Sequence, residues 1–202
     1  MRLVLALMVM AAPIAADPVA DVAAAASAAF DRMPRIDRVA SIAGNCGADE
    51  SVHDLVAYCT SRNVIFVADA VGSLPEAAYL VAHAYGHAVQ VQHGVADFAL
   101  AQIRARRSEE AMLRGLVTRQ VECIAGFLVA RAGLPAASLT DWMTEEPFTG
   151  SHWGRDPLRI GPKVSIGLAE RDAWFQAGQA GDLPACGPGE FTADLLLRAL
   201  KP

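Results

Sequence analysis

The chain has 202 residues, of which 53% are hydrophobic and 19% charged, and its net charge is −5 at pH 7. This length is enough for one domain with a substantial buried core. The acidic balance excludes a protein that binds nucleic acid through a strongly basic surface. Much of the hydrophobic content is alanine, which favours helix over strand, so we expect a mainly α-helical fold with a small strand element.

The N-terminus has the pattern of a secretory signal peptide. Arg2 provides a positive start, residues 3–10 are apolar, and a stretch of small side chains ends at Ala16. The apolar run is too short to span a bilayer, and the alternative is a retained N-terminal anchor. We therefore expect a signal peptide over 1–16 and one domain over 17–202, periplasmic or secreted, with no membrane span after cleavage.

Helical spacing, capping residues and helix breakers predict the remaining elements in chain order. The predicted helices have the approximate bounds 17–33, 73–93, 108–132 and 169–179, and a short one ends the chain. The stretch 63–69 is β-branched and aromatic and predicts the one clear strand. Residues 41–63 and 144–165 are polar or contain Pro and Gly, which predicts loops. Ser73 is expected to cap the second helix, and Gly94 to end it.

The four cysteines predict disulfide bonds, because an exported chain folds in an oxidising compartment. They are Cys46, Cys59, Cys123 and Cys186, and four cysteines allow three pairings. Cys46 and Cys59 are the only close pair, and pairing them leaves Cys123 with Cys186. The alternatives are buried free thiols and a four-cysteine zinc site, although the C-x-x-C spacing typical of such a site does not occur.

Two histidines, His83 and His87, lie four residues apart in an apolar predicted helix. At this spacing both imidazoles lie on one helix face, where they can bind one metal ion. The active motif H-E-x-x-H places a glutamate general base after the first histidine, but this chain has Ala84 there. Alanine cannot accept a proton, so no catalytic residue is predicted. The alternative is a pair of hydrogen-bonded core histidines, and His93 is expected at the surface.

Four motifs occur in order along the chain. They are D-L-V-A-Y-C with V-I-F-V-A-D in 54–69, A-H-A-Y-G-H-A-V-Q in 82–90, Q-V-E-C-I-A-G in 120–126, and R-x-x-W-F…G…G-D…C in 171–186. Together they resemble the neutral zinc metallopeptidase family, whose motifs include A-H-E-x-G-H-x-V-Q and Q-A-D-C-x-A-G. The resemblance covers about residues 46–191. It implies a zincin-like scaffold with zinc as the cofactor, and its matching cysteines support the disulfide pairing favoured above.

The chain departs from this family at the residues that carry chemistry. The resemblance implies His83 and His87 as zinc ligands. The third ligand of the family, a glutamate, corresponds to Thr118, which is a poor zinc ligand. Glu122 replaces an aspartate, and we expect it either to orient a ligand histidine or to serve as a substitute third ligand. A further histidine of the family, in an H-G-S-like segment, is missing around Ile166.

Three functions are compatible with these residues. The first is a non-catalytic metallopeptidase-like protein, a pseudoenzyme, that binds a peptide or protein partner, with Val64–Ala68 as the edge strand that pairs with the peptide. The second is an active zinc metallopeptidase with His83, His87 and Glu122 as ligands. The third is a structural envelope protein without metal. Bound zinc separates the third from the other two, and peptide turnover separates the second from the first.

Overall fold

In a computed structural model, the structure describes residues 17–48, 54–149, 151–153 and 160–202, with the backbone alone at 151–153 and 160–162. The described residues form one mainly helical domain, as predicted. The helices are α1 Pro18–Ala29, α2 Ala77–Gln92, α3 Val95–Ala105, α4 Glu110–Arg131, α5 Leu168–Gln179 and α6 Asp194–Ala199. No helix among these residues is both long enough and apolar enough to cross a membrane. The predicted signal peptide, 1–16, lies outside the described residues.

A small three-stranded sheet stands beside the helices. Its strands are β1 Arg35–Val39, β2 Val56–Cys59 and β3 Val64–Ala68, in the order β1–β3–β2. β3 pairs in parallel with β1 and antiparallel with β2, and all five of its residues are buried. Its unbroken β-branched and aromatic run suits a strand that is covered on both faces. The expectation that Val64–Ala68 is an edge strand is therefore wrong, because the outer strands are β1 and β2.

Several predicted boundaries also change. The first helix ends at Ala29 instead of running to Pro34, because Phe30 is extended and the chain then enters β1. β2 lies in the predicted loop 41–63, and a strand pair, β4 Ser151–Trp153 with β5 Ile160–Lys163, lies in the predicted loop 144–165. These strands are only three to four residues long and are stabilised by pairing with a neighbouring strand, so their own sequence gives a weak signal. Ser73 does not cap α2, since its hydroxyl donates to the Ala70 carbonyl at 2.9 Å.

Three helix glycines allow the core helices to touch. A Cβ placed on Gly126 of α4 would lie 1.9 Å from the carbonyl oxygen of Phe175, and one on Gly178 of α5 would lie 1.9 Å from that of Cys123. On α2, a Cβ at Gly86 would lie 2.9 Å from the carbonyl oxygen of Val121. Backbones at these distances leave no room for a side chain, so the glycines set the spacing of α2, α4 and α5.

Two disulfides brace this arrangement. Cys46 bonds to Cys59 at the end of β2, and Cys123 on α4 bonds to Cys186. This is the pairing that the sequence favours. All four cysteines are bonded, so the free-thiol and four-cysteine zinc alternatives are wrong. The second disulfide ties the α4 segment that approaches α5 to the C-terminal part of the chain.

Candidate functional site

The histidine pair lies on α2 where that helix presses against α4. The imidazole centroids of His83 and His87 are 4.9 Å apart, with the rings nearly perpendicular. The close approach at Gly86 brings α2 against Val121, and the next residue of α4, Glu122, faces His83. The i, i+4 spacing thus places both rings on one helix face, as the sequence predicts.

Glu122 is fully buried, and neighbouring side chains occupy both of its carboxylate oxygens. Oε2 accepts a hydrogen bond from the Tyr79 hydroxyl at 3.0 Å, and Oε1 accepts one from Nη1 of Arg171. Nδ1 of His83 lies 3.3 Å from the same Oε1. Burial alone would raise the pKa of Glu122, but His83 and Arg171 lower it below its ordinary value. The contact with His83 lacks hydrogen-bond geometry, since Nδ1 is buried without a hydrogen-bond partner among the described residues. The bonds of Glu122 to Tyr79 and Arg171 argue against a role as third metal ligand.

Arg171, on α5, provides the positive charge that balances Glu122, a role that the sequence motifs do not identify. Its side chain is 1% exposed, and its guanidinium bridges two carboxylates, Glu122 and Glu146, with Nε 2.8 Å from Oε1 of Glu146. Burial alone would lower the pKa of Arg171, but the Glu122 charge and the bond to Glu146 raise it, so the guanidinium stays charged. Its Nη2 is buried without a hydrogen-bond partner. The sequence contains Arg171 in R-x-x-W-F but gives no sign of this role.

Residues 146–148 cover His83, the first histidine of the pair. The Phe148 ring stacks on the His83 imidazole, with centroids 4.0 Å apart and an angle of 18° between the planes. Phe148 has a φ of 56°, a left-handed conformation that is uncommon outside glycine. Glu146 anchors the segment, because it also accepts hydrogen bonds from the Ser165 hydroxyl and, at 2.8 Å, from the Ile166 N–H. His83 is consequently only 6% exposed.

The groups needed for zinc hydrolysis are not brought together. Ala84 is 6% exposed and offers no base. Thr118, which corresponds to the third ligand in the resemblance, is buried, and its hydroxyl donates to the Arg114 carbonyl of its own helix at 3.1 Å. Among the residues that the structure describes, no group of three or more His, Cys, Asp and Glu side chains is placed to hold a metal ion. With Glu122 held by Tyr79 and Arg171, these residues do not fit a three-ligand zinc centre.

No protein-family model, no curated protein and no solved structure matches this chain. The resemblance to the neutral zinc metallopeptidases therefore depends on the sequence motifs alone. The function proposed below depends on the side chains that surround His83.

Proposed function

We propose that the protein is an exported, non-catalytic relative of the neutral zinc metallopeptidases that binds a peptide or protein partner. The observation that carries this proposal is the set of side chains that bind the Glu122 carboxylate. This carboxylate lies beside His83, but Tyr79 and Arg171 already hold it. The two disulfides, which suit an oxidising compartment, support export.

The energies involved argue against Glu122 as a replacement base. A general base within hydrogen-bond reach of the attacking water contributes about 10²–10⁴-fold to a hydrolytic rate. For Glu122 to act in this way, it would have to leave the buried Arg171 guanidinium. Breaking such a buried pair costs about 3–5 kcal/mol, which cancels most of the catalytic gain. The position that normally supplies the base holds Ala84.

The outer edge of β2 is the place we propose for the partner. An extended peptide can add to the free edge of a sheet through backbone hydrogen bonds. β2 is an outer strand of its sheet, and it packs against α2, the helix of the histidine pair. Leu55, directly before β2, is a large apolar side chain that is 38% exposed. An exposed apolar side chain beside a strand edge provides a contact for a peptide side chain.

The catalytic half of the proposal is tested by metal analysis and a general peptide-cleavage assay on the purified mature protein. We expect no chelator-sensitive turnover from the wild type. We also expect none from Ala84→Glu, because Thr118 still supplies no third ligand. Stoichiometric zinc with cleavage that a chelator abolishes would contradict the proposal and favour the active metallopeptidase. Robust turnover by Ala84→Glu alone would show that Thr118 is not a missing ligand.

The binding half is tested with a randomised library of extended peptides. We expect Leu55→Asp to reduce peptide retention, because it places a charge beside the β2 edge. Met112→Asp is the matched control, since Met112 is a large apolar side chain that is 48% exposed on α4, outside the sheet. Equal retention by the two variants, or no retention by the wild type, would contradict peptide binding at β2.

A further inference from the structure

A cavity of about 630 Å³ lies at the carboxyl end of α2. Its polar lining includes Arg32, Thr60, Gln92, His93, Asp97 and Arg198. His93 is six residues beyond His87, the nearer histidine of the pair, which corresponds to about 9 Å along the helix axis. The cavity is therefore separate from the histidine pair, and it does not depend on the function proposed for that site.

Two arginines, Arg32 and Arg198, line this cavity, and each donates a hydrogen bond to a backbone carbonyl. Arg32 donates to the Gln92 carbonyl, and Nε of Arg198 donates to the Asp194 carbonyl of its own helix at 3.3 Å. In the described part of the chain, neither guanidinium has a carboxylate within ion-pair distance, although seven other arginines do. One carboxylate, Asp97, also lines the cavity, and it is engaged in an interaction of its own. The described lining therefore carries two arginines and one carboxylate, a net positive charge in a chain whose net charge is −5.

The fold holds these two cations on the same cavity. The Lys201 N–H donates to the Ala29 carbonyl at 2.8 Å, and Lys201 Nζ lies 3.1 Å from Asp31 Oδ1. These contacts fix the end of α6 against the end of α1. Arg32 itself has a φ of 58°, and Asn63 Nδ2 donates to its carbonyl at 3.0 Å, which holds its backbone in this left-handed conformation.

His93 lies on the same lining, beside the arginines. The residue is half-buried, not fully at the surface as expected, and its Nε2 atom is buried without a hydrogen-bond partner among the described residues. Burial, and then the nearby Arg32 charge, lower the pKa of His93 below its ordinary value. The imidazole is thus uncharged near neutral pH, and the Thr60 hydroxyl is a further polar group on the lining.

We propose that this cavity binds a small ligand through an oxyanion group, a phosphate or a carboxylate, held by Arg32 and Arg198. The planar guanidinium matches both groups with two parallel hydrogen bonds, which are stronger when both partners are charged. The volume lies within the range of small-molecule sites.

The test is a titration of the ¹⁵N-labelled mature protein with inorganic phosphate and, separately, with citrate, followed by amide chemical shifts at constant ionic strength. We expect saturable shifts at Thr60, His93 and Gly94. Arg198→Gln should weaken the apparent affinity at least about tenfold, as expected for the loss of a charge-assisted bond. Arg198→Lys keeps the charge but loses the pair of parallel N–H donors of the guanidinium, so it should give an intermediate affinity. Saturation by phosphate alone or by citrate alone identifies the group, and both outcomes support the proposal.

The control variant is Arg104→Gln, which removes the same charge from an exposed position on α3 outside the cavity. We expect its affinity to stay within about twofold of the wild type. Arg198 is exposed, and within the described ranges its side chain forms one hydrogen bond, to a backbone carbonyl of its own helix, so its variants should fold; thermal melting checks this. The absence of saturable shifts with either anion, or equal weakening by Arg104→Gln, would overturn the proposal.

Discussion

The substitution Glu122→Gln tests whether the buried carboxylate is committed to Arg171. Glutamine has nearly the same volume, so the change removes the negative charge and little else. Arg171, which is 1% exposed, would then depend on Glu146 alone as its counter-charge. Loss of one partner of a buried ion pair costs about 3–5 kcal/mol. Because Glu146 stays 2.8 Å from Nε, we expect the lower end, about 3 kcal/mol of unfolding free energy.

A matched substitution on α5 provides the comparison. Glu170 also pairs with an arginine, Arg119, at 2.8 Å, but its side chain is 43% exposed. Solvent screens such a pair, so Glu170→Gln should cost no more than about 1 kcal/mol. The difference between the two variants, about 2 kcal/mol, isolates the effect of burial from the effect of losing one negative charge.

The assay is urea denaturation followed by circular dichroism under non-reducing conditions, so that both disulfides stay intact. A double-mutant cycle with Arg171→Gln then measures the coupling directly. If the two side chains interact, the double variant should lose at least about 1 kcal/mol less than the sum of the single variants. A Glu122→Gln cost below about 1 kcal/mol, or an additive cycle, would refute the ion pair and return Glu122 as a candidate base or ligand.

Three further predictions concern the stability of the frame around the site. Gly178→Ala should cost at least about 3 kcal/mol in urea denaturation, because its Cβ would lie 1.9 Å from a backbone oxygen. Gly115→Ala should be near neutral, because its Cβ would lie 3.1 Å from the end of the flexible Arg119 side chain and 3.5 Å, an ordinary contact, from Ile166; equal costs would contradict the close helix contact. Burial raises the pKa of Glu146, but hydrogen bonds to its carboxylate lower this pKa by more, so the carboxylate stabilises the fold above about pH 4.5 and this contribution is lost as the pH falls through the folded pKa. The difference in unfolding free energy between wild type and Glu146→Gln should therefore shrink below about pH 4.5, and a constant difference would refute this. Replacing both Cys123 and Cys186 by alanine should cost about 4 kcal/mol of unfolding free energy, because this disulfide has a sequence separation of 63. Replacing Cys46 and Cys59, whose separation is 13, should cost about 3 kcal/mol, and the reverse order in thermal or urea unfolding would contradict this prediction.

Much of the framework could be predicted from local patterns. The helix of the histidine pair, the long helix α4 and the buried strand β3 each carry their own periodicity and breakers, and the structure places all three close to their predicted bounds. The i, i+4 spacing predicted the shared face of His83 and His87 for the same reason. Strands β1 and β2 were missed because they carry weak signals of their own and form by pairing with β3.

Helix periodicity depends on near neighbours, so the amino-acid sequence alone places the residues of α2 and α4, including Ala84 directly after His83. The contacts of the Glu122 carboxylate, in contrast, follow from the way the helices pack. Arg171 lies 49 residues further along the chain, and Phe148 reaches His83 from a segment without helical or strand pattern. Such contacts depend on how helices pack, and glycines at backbone contact fix that packing in a way that no local pattern encodes.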